Sequence, residues 1–494
     1  MKRIIQINEK DNVVVALRPV MRGETVSTSE GLSVTVREDI PQGHKIAICD
    51  MKAGENVIKY GFPIGHTTQD VQGGSWLHTH NVRTNLKGEG KYCYHPIHPS
   101  VEKKEPGTFQ GYIRPDGRVA IRNEIWIIPT VGCVNSIVRK LAADNQDLVT
   151  GSIEGLYAFT HPFGCSQTGA DHAQTRKLLG ALVNHPNAAA VLVVGLGCEN
   201  LTHEQFLQEL GNYDKNRVKF LICQKVEDEF EAGRTLLQEC AMYALKFNRQ
   251  LVSTTELIVG MKCGGSDGLS GITANPLVGR LSDRLVAEGG TTILTEVPEM
   301  FGAEEGLLNR CRNKDVFDKA VQMINGFKEY FIRHGETVYD NPSPGNKEGG
   351  ITTLEDKSCG CVQKGGNSAI SDVLDYGDQV REKGLNMLYG PGNDLVSATA
   401  LTAAGCHMIL FTTGRGTPFG APVPTLKIST NTGLYEKKKK WIDFNAGVIA
   451  EGRLLDSAAD DLYRFVLRIA SGEQTCTEQK GFRDISIFKD GVVL

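Results

Sequence analysis

Several short loops of this sequence place a cysteine beside glycine and a polar side chain, a pattern suited to metal binding or nucleophilic chemistry. Cys133, Cys165, Cys198 and Cys263 each come shortly after an apolar run, and Cys361 lies in a comparable stretch. A single cysteine of this kind is commonly a small buried residue, and that alternative stays open for each of them. The repetition favours a chemical role for at least one of these cysteines. None of them forms a pair with two residues between the cysteines, as a zinc knuckle requires, so a zinc knuckle is disfavoured.

Histidines offer a second kind of chemistry. His78 and His80 stand two residues apart, so in an extended segment both imidazoles point to one side and can bind a metal ion or a carboxylate. His172 follows Asp171 at the predicted start of a helix, where it is placed to take a proton from a bound substrate. A surface histidine pair, and a helix-capping Asp171 with an incidental His172, are the alternatives.

Glycine-rich loops offer sites for a small anion. Residues 264–276 contain Ser266 and Asp267 among glycines and lead into a predicted helix, whose first backbone N–H groups favour an anion. The segment lacks the Gly-Lys-Ser/Thr ending of a Walker loop and the dinucleotide fingerprint, so a small carboxylate is the better ligand. Glu296 closes the next strand in a predicted buried position, and Arg415 between two glycines is either a carboxylate clamp or a structural residue.

These loops need a scaffold that brings them to one edge, and the sequence predicts such a scaffold from residue 111 onward. Apolar runs of strand length alternate with helix-like segments, which predicts mainly parallel sheets covered by helices. Ligands bind at the carboxyl ends of such strands, where the cysteine and glycine loops lie. The predicted strands are 125–130, 189–195, 218–223, 256–261, 291–296, 386–390 and 408–413. The predicted helices are 135–147, 173–184, 203–210, 226–247, 276–288, 315–333, 394–404 and 457–471.

The chain is predicted to contain a separate N-terminal unit and two catalytic subdomains. Residues 1–82 alternate short β-like runs with glycine and asparagine turns, which predicts a small β-rich domain. Residues 83–110 are polar and lack apolar periodicity, so they are predicted to be a long linker. A polar stretch near residue 250 divides the α/β part into residues 111–250 and 251–494.

Length and composition exclude several classes of protein. The chain has 494 residues, a net charge of −4 and no apolar run long enough to span a bilayer. We therefore expect a cytoplasmic, multidomain protein with no nucleic-acid or membrane partner. Its 13 cysteines are expected to be thiols, metal ligands or core residues rather than disulfides, as in a reducing compartment.

Longer stretches of the sequence resemble the family of altronate and galactarate dehydratases over nearly the whole chain. They are much more specific than the short patterns above, and two of them, TEVPEMFGAE and ITTLEDKS, favour the altronate branch. One departure is Ala120, where the family often has glycine, and this is a small change at a turn. The stretches are IRNE (121–124), PTVGCVN (129–135), HPFGCSQTGADH (161–172), HPNAAAVLVVGLGCEN (185–200), CGGSDGLSGITANP (263–276), LTEVPEMFGAE (294–304), NPSPGNKEGGITTLEDKS (341–358) and TTGRGTPFG (412–420).

The resemblance implies a fold and a reaction. It implies an N-terminal β domain of the SAF-like, β-clip kind found in antifreeze proteins and flagellar ring chaperones. That domain is joined to an α/β catalytic region with mainly parallel sheets in two subdomains. The implied reaction is iron(II)-dependent removal of water from D-altronate to give 2-dehydro-3-deoxy-D-gluconate, in galacturonate catabolism. The expected cofactor is Fe²⁺, with Mn²⁺ as an alternative metal; the expected partner is a small sugar acid, and the expected assembly is a homodimer.

The resemblance and the loop positions together assign roles to individual residues as hypotheses. Iron is expected to be held by a subset of His78, His80, Cys133, Cys165 and Cys198, with the N-terminal domain closing over the catalytic region. The candidate catalytic residues are His172 as the base and Glu199 as the acid. The candidate substrate-binding residues are Arg122, Asn123, Ser166, Gln167, Asn200, Ser266, Asp267, Asn275, Glu296 and Arg415.

Three alternatives stay open from the sequence. The first is a dehydratase for a related aldarate or aldonate such as galactarate. The second is an iron–sulfur hydratase that uses three of the cysteines. The third is a binding or regulatory protein built on a former enzyme scaffold, which the number of polar strand-end loops argues against.

Overall fold

A computed structural model describes residues 3–29, 31–88, 90–99 and 102–494. It contains a β-rich N-terminal domain, a middle domain around a four-stranded parallel sheet and a C-terminal domain around a seven-stranded parallel sheet. The predicted fold class is therefore confirmed. No helix within the described ranges is long and apolar enough to cross a membrane.

The N-terminal domain consists of short antiparallel strands joined by tight turns. Its sheets have the orders β1-β2-β5-β8, β3-β4 and β6-β7-β9. The strands are β1 (Ile4–Ile5), β2 (Val13–Ala16), β3 (Thr25–Ser27), β4 (Ser33–Thr35), β5 (Lys45–Ala47), β6 (Asn56–Lys59), β7 (Phe62–Thr67), β8 (Trp76–Leu77) and β9 (Val82–Arg83). Gly43 has φ +82° before β5, and a Cβ there would lie 2.9 Å from the Gly349 carbonyl oxygen, so glycine permits close contact with the C-terminal domain.

The segment after β9 lies along the C-terminal domain as irregular chain. Tyr92 donates a hydrogen bond to the Glu304 carboxylate at 3.0 Å, and Tyr94 donates one to the Cys311 carbonyl at 2.7 Å. Both rings also pack against the largest apolar core. This linker therefore fastens the N-terminal domain to the catalytic region along its own length.

The chain enters and leaves the middle domain through the strands of a small antiparallel sheet of order β11-β10-β16. Its parallel sheet has the order β13-β12-β14-β15. The strands of the two sheets are β10 (Thr108–Ile113), β11 (Val119–Ala120), β12 (Glu124–Pro129), β13 (Gly155–Ala158), β14 (Ala188–Gly195), β15 (Val218–Ile222) and β16 (Gln250–Ser253). The helices are α1 (Asn135–Asp144), α2 (Gly169–Val183), α3 (His203–Leu210) and α4 (Glu229–Ala244).

The C-terminal domain is built on a sheet of order β19-β20-β18-β17-β21-β22-β23, with every pairing parallel. Its strands are β17 (Ile258–Cys263), β18 (Thr291–Leu294), β19 (Ile370–Leu374), β20 (Gly384–Leu388), β21 (Met408–Thr413), β22 (Thr425–Ser429) and β23 (Phe444–Asn445). The helices are α5 (Ala274–Ala287), α6 (Glu304–Leu308), α7 (Lys314–Arg333), α8 (Pro344–Glu348), α9 (Leu354–Cys361), α10 (Asp394–Ala403), α11 (Thr432–Lys437) and α12 (Leu455–Ala470). The strand order reverses at β17, so the loops after β17 and β21 form the crevice where ligands bind in such sheets.

The predicted strands and helices of the catalytic region are present, with ends that differ by a few residues. The sequence did not predict β19 and β22, because each carries polar or charged side chains inside a short run. Lys427 in β22 is fully buried, with its ammonium group 3.7 Å from the centre of the Phe411 ring. This cation–π contact lets a charged residue occupy a central strand.

Candidate active site

Four potential metal ligands meet at the carboxyl edge of the C-terminal sheet. Cys263 ends β17, Glu296 and Glu299 follow β18, and Cys361 ends α9. We call these residues the thiol–carboxylate cluster. All four are buried, and one ligand atom from each lies within 4.8 Å of the others, an arrangement found at this one place among the described residues. The Cys263 and Cys361 sulfurs are 3.7 Å apart, and the Cys263 sulfur lies 3.2 Å from a Glu299 oxygen.

Local backbone geometry aims the two carboxylates at the sulfurs. Glu296 has φ +70° and ψ +57°, a left-handed conformation that is uncommon for a residue other than glycine. That conformation lets one Glu296 oxygen accept the Cys263 N–H at 3.0 Å. Such strain persists only where the surrounding structure enforces it, and it is concentrated at functional sites.

Three buried lysines neutralise the carboxylates. Lys262 and Lys364 each lie 2.6 Å from Glu296, and Lys357 lies 2.8 Å from Glu299. Burial alone would raise the pKa of the Glu299 carboxyl, but Lys357, Lys364 and Lys262 lower it well below its ordinary value. Glu299 is therefore ionised and able to bind a cation.

The Cys361 thiol retains its proton when no metal is bound. The hydrogen bond between Cys361 and Cys263 raises the pKa of the Cys361 thiol, and burial raises that pKa further. The Lys364 ammonium nitrogen lies 3.0 Å from the Cys361 sulfur and favours the thiolate. Two sulfurs and two carboxylates form a mixed soft and hard donor set that suits a divalent first-row metal such as iron(II), whose binding would displace the thiol protons.

The N-terminal domain inserts two lysines beside this cluster. Lys45 and Lys59 lie 2.7 Å and 2.9 Å from the two oxygens of Asp356, in the first turn of α9, and all three side chains are at most 1% exposed. Lys45 also donates to the Gly350 carbonyl at 2.8 Å. Burial lowers the pKa of Lys45 to about 8. Two cations against one carboxylate leave an excess positive charge at the domain junction, which favours an anionic ligand.

A narrow cavity joins Lys59, one of the two inserted lysines, to Cys361 of the thiol–carboxylate cluster. Lys59, Tyr60, Asp267, Lys357 and Cys361 are among its lining residues. Its volume of about 10 Å³ is enough for about one water molecule. A cavity of about 600 Å³, which also touches Tyr60, lies next to it between the N-terminal and C-terminal domains. This larger space has the size typical of a small-molecule pocket.

The two histidines of the predicted metal site lie at the same domain junction. The premise that residues 78–80 are extended is wrong, because they form a bend and turn after β8. The His78 ring stacks on the Trp76 ring with 5.6 Å between the ring centres, and its Nδ1 atom lies 3.1 Å from the Thr352 hydroxyl. The His80 ring makes an edge-to-face contact with the same Trp76 ring. Burial lowers the pKa of His78 to about 3, so its imidazole is neutral.

The predicted substrate-binding residues of the C-terminal domain hold its loops together. Asp267 is half-buried and accepts a hydrogen bond from Thr430 at 2.9 Å. Asn275 donates to the Gly360 carbonyl at 2.9 Å and accepts from Thr412 at 2.7 Å. These contacts fix the loop after β17 against α9 and β21.

Ser266 and Arg415 bring helix α8 to the same crevice. The Ser266 carbonyl accepts a hydrogen bond from the Asn346 side chain at 2.8 Å. Arg415 makes an ion pair with Glu348 at 2.8 Å and is about 43% exposed, so its guanidinium is accessible to a ligand. The segment from 341 to 352 thus forms one wall of the crevice.

Arg122 and Asn123 lie where the middle and C-terminal domains join. Arg122 is buried, pairs with Glu478 at 2.8 Å and donates to backbone carbonyls, including that of Ile469. The Asn123 side chain accepts from Arg114 and donates to the Ala244 carbonyl. Both side chains are occupied by contacts that join chain segments far apart in sequence.

The other predicted residues meet at the carboxyl edge of the middle sheet. Glu199 accepts hydrogen bonds from Thr130 at 2.8 Å and from the Gly197 N–H at 2.6 Å, so it shapes its own loop. The His172 Nε2 atom is buried and has no hydrogen-bond partner among the described residues. The residues at this edge are Cys133, Cys165, Ser166, Gln167, His172, Cys198, Glu199 and Asn200.

The structure therefore divides the predicted site between two sheet edges. The sequence marked Cys263 and Glu296 by their positions at the ends of predicted strands and Cys361 by its glycine-containing stretch, but it gave no reason to join them. It also missed the buried lysines, because lysine is mostly exposed in proteins and no local pattern marks an exception. The missed lysines are Lys45, Lys59, Lys262, Lys357 and Lys364.

Family models match all three regions of the fold. An altronate/galactarate dehydratase SAF domain matches residues 2–85, and the second domain of D-galactarate dehydratase/altronate hydrolase matches residues 111–245. The C-terminal domain of D-galactarate/altronate dehydratase matches residues 254–493. The chain belongs to the altronate/galactarate dehydratase family. It is thus a member of a family of hydro-lyases, and the resemblance predicted from the sequence motifs is confirmed.

Relatives within this family are similar over their full lengths. An altronate dehydratase of Escherichia coli (strain K12) is 50% identical over 495 residues, covering 99% of each chain. An altronate dehydratase of Bacillus subtilis (strain 168) is 50% identical over 501 residues, covering 100% of each chain. A galactarate dehydratase (L-threo-forming) of Escherichia coli (strain K12) is 32% identical, covering 99% of this chain and 97% of the relative.

Proposed function

We propose that this enzyme removes water from D-altronate to give 2-dehydro-3-deoxy-D-gluconate, as a cytoplasmic step of galacturonate breakdown. The observation that carries the proposal is the 50% identity, over essentially the whole chain, to two altronate dehydratases. A cationic, closed site beside a cluster of metal-ligand side chains supports the same chemistry. Galactarate is the alternative substrate, supported by the more distant relative at 32% identity.

The chain's own cations stabilise the charge that forms during dehydration. Loss of the C2 proton places negative charge on the substrate carboxylate, and fixed positive groups lower the energy of that state. Lys59 and Lys357 line the narrow cavity, and each is held by a buried carboxylate. Their positions are therefore set before the substrate arrives, and water is largely excluded around them.

Iron(II) would be held by the thiol–carboxylate cluster, with Mn²⁺ as an alternative metal. A divalent ion supplies Lewis acidity to carboxylate and hydroxyl oxygens when it is bound. Within the chain, Glu296 is held by Lys262 and Lys364, which fix the direction of its oxygens. The carboxylate oxygens of Glu296 and Glu299 are the hard ligands, and the sulfurs of Cys263 and Cys361 are the soft ligands.

Substrate entry requires the N-terminal domain to move. The cavity at Lys59 holds about one water, which is too small for a six-carbon acid. The neighbouring cavity of about 600 Å³ is large enough and adjoins the same Tyr60 ring. We propose that the substrate first occupies this larger space and that a shift of the N-terminal domain opens the narrow cavity.

A substrate panel tests the reaction. Purified enzyme is supplied with Fe²⁺ or Mn²⁺ and with altronate, galactarate and other sugar acids, and the release of 2-keto acid is measured. We expect altronate to have the highest kcat/KM. A higher kcat/KM for galactarate would instead favour the alternative substrate, and no turnover of any sugar acid would contradict the proposed reaction.

Replacement of Cys361 by serine tests the metal site. We expect Cys361→Ser to contain about one iron fewer per chain than the wild type and to lose at least about 100-fold in kcat, because a thiolate ligand is removed. Cys476→Ser is the control, since Cys476 is a half-buried thiol of the same domain that lies outside the cluster and does not line either cavity. Equal iron content in wild type and Cys361→Ser would contradict this assignment.

A further inference from the structure

A second set of cysteines lies at the carboxyl edge of the middle sheet. Each of its four parallel strands is followed by a cysteine, and the spatial order is Cys165, Cys133, Cys198 and Cys223. No role in the proposed reaction has been given to these thiols. Because adjacent parallel strands lie about 4.8 Å apart, the first three loops adjoin one another at one edge.

Backbone contacts hold the first three loops together. The Gly132 N–H donates to the Phe163 carbonyl at 2.8 Å, and the Leu201 N–H donates to the Gly164 carbonyl at 3.0 Å. A Cβ atom at Gly164 would lie 1.8 Å from the Thr130 carbonyl oxygen, so only glycine permits this approach. We call Cys133, Cys165 and Cys198 the trio, and each of them lies one residue after a glycine. The glycines that make these contacts, Gly132 and Gly164, lie beside Cys133 and Cys165.

The loop of Cys198 completes the arrangement. The Cys165 sulfur lies 3.4 Å from the Asn200 side-chain oxygen, which also accepts the Ser166 N–H at 2.8 Å. Cys133 and Cys198 are exposed and Cys165 is half-buried, and all three are free thiols. Exposed thiols that form no disulfide, at one edge, are available to bind iron from solution.

The spacing of the sulfurs argues against a single metal ion. A single ion with metal–sulfur bonds of about 2.3 Å requires its ligand atoms to lie close together. Within the described residues, that condition is met by the thiol–carboxylate cluster and not by the trio. A polynuclear iron–sulfur cluster holds its cysteine sulfurs further apart, and thiolates are its usual ligands.

Unsatisfied polar atoms mark the same edge. Asn135 Oδ1, Gln167 Nε2 and His172 Nε2 are buried without a hydrogen-bond partner among the described residues. Buried polar atoms of this kind normally have a partner, so each needs an explanation such as an absent ligand. Hydrogen bonds to cluster sulfur atoms are one way in which proteins tune such a group.

Cys223 differs from the trio in its surroundings. Like Cys165, it packs against the apolar core beneath the sheet, and burial, with Glu229 and Glu199 nearby, raises its pKa to about 11. Its strand, β15, lies two places from the strand of Cys133 and three places from the strand of Cys165, so Cys223 lies farther from these two thiols than Cys198 does. It therefore serves as a matched control at the same edge.

We propose that Cys133, Cys165 and Cys198 hold a cubane iron–sulfur cluster, at a site separate from the thiol–carboxylate cluster. Assembly requires two ferric ions, two ferrous ions and four inorganic sulfide ions, so no further oxidant is needed, and each thiol loses its proton when it binds iron. Three cysteines leave the fourth iron to a ligand other than cysteine.

Anaerobic reconstitution with equal amounts of ferric and ferrous iron and with inorganic sulfide tests the inference on the full chain. We expect about four iron and four acid-labile sulfide ions per chain in the cluster, broad visible absorption that bleaches on reduction, and an electron paramagnetic resonance signal. Cys133→Ser, Cys165→Ser and Cys198→Ser should each lose most of the sulfide and absorption, whereas Cys223→Ser and Cys49→Ser should retain them. Circular dichroism and gel filtration check that each variant folds.

The possible outcomes separate this inference from the proposed function. Wild-type protein without labile sulfide or visible absorption would overturn the cluster, as would serine variants of the trio that retain both. Loss of the absorption in folded Cys223→Ser would overturn the three-ligand assignment. Cys361→Ser should retain the absorption although it loses activity. Wild-type protein that has the cluster spectrum but turns over no sugar acid would contradict the proposed function alone.

Discussion

Replacing Asp356 with asparagine is expected to release the N-terminal domain from the catalytic region and to abolish turnover. The substitution leaves Lys45 and Lys59 as buried cations without a carboxylate, in an environment where both are at most 1% exposed. Breaking a buried ion pair by removing one partner costs about 3–5 kcal/mol. The two lysines then gain more from returning to water than from staying docked.

Limited proteolysis and activity measure this effect together. We expect cleavage in the segment after β9 to accelerate strongly in Asp356→Asn, and kcat/KM to fall by at least about 100-fold as Lys59 leaves the narrow cavity. Asp70→Asn is the control, because Asp70 pairs with Lys52 at 2.8 Å on the exposed surface of the N-terminal domain. Wild-type protease resistance in folded Asp356→Asn would show that the ion pairs do not hold the domains together.

The same contact has a predictable dependence on pH. Burial raises the pKa of Asp356, but Lys45 and Lys59 outweigh this effect and depress it below its ordinary value of 3.8. A depressed carboxyl pKa contributes stability that is present above the ordinary value and is lost as pH falls through the depressed one. Docking should therefore persist down to pH of about 4 and weaken below it, whereas Asp356→Asn should lack this acid transition.

Replacing Glu296 with glutamine is expected to cause the largest loss of stability in the C-terminal domain. Its two oxygens neutralise Lys262 and Lys364, each at 2.6 Å, and the three side chains are 0% exposed. The neutral amide leaves two buried ammonium groups with less compensation, at a cost of about 3–5 kcal/mol. It also removes one anionic ligand from the thiol–carboxylate cluster, so metal affinity should fall about 10- to 100-fold or more.

Denaturant unfolding and metal titration measure the two effects. Glu256→Gln is the matched control, because Glu256 pairs with Lys383 at 3.0 Å where both side chains are about half exposed. An exposed pair contributes about 0–1 kcal/mol, so this variant should unfold almost as the wild type does. A Glu296→Gln protein with wild-type stability and wild-type metal affinity would contradict both the ion network and the ligand role.

The sequence was sufficient for the class of fold and for the sheet edges at which the candidate site residues lie. Apolar runs such as residues 189–195 and 408–413 have the length of buried strands, and the strands are present there. The strand-end rule then pointed to the loops of Cys133, Cys198 and Cys263, because carboxyl ends of parallel strands lie at one edge of a sheet. These conclusions depend on patterns within a few residues, which a sequence shows directly.

Tertiary structure alone decided which loops share a site. Lys59 and Asp356 are separated by 297 positions, and Lys45 and Asp356 by 311, so no local pattern relates them. The predicted site residues lie at two different sheets, because the sequence pattern of a strand-end loop is the same in both sheets. Burial of a lysine depends on a compensating charge from a distant segment, and that compensation exists only after the domains have packed together.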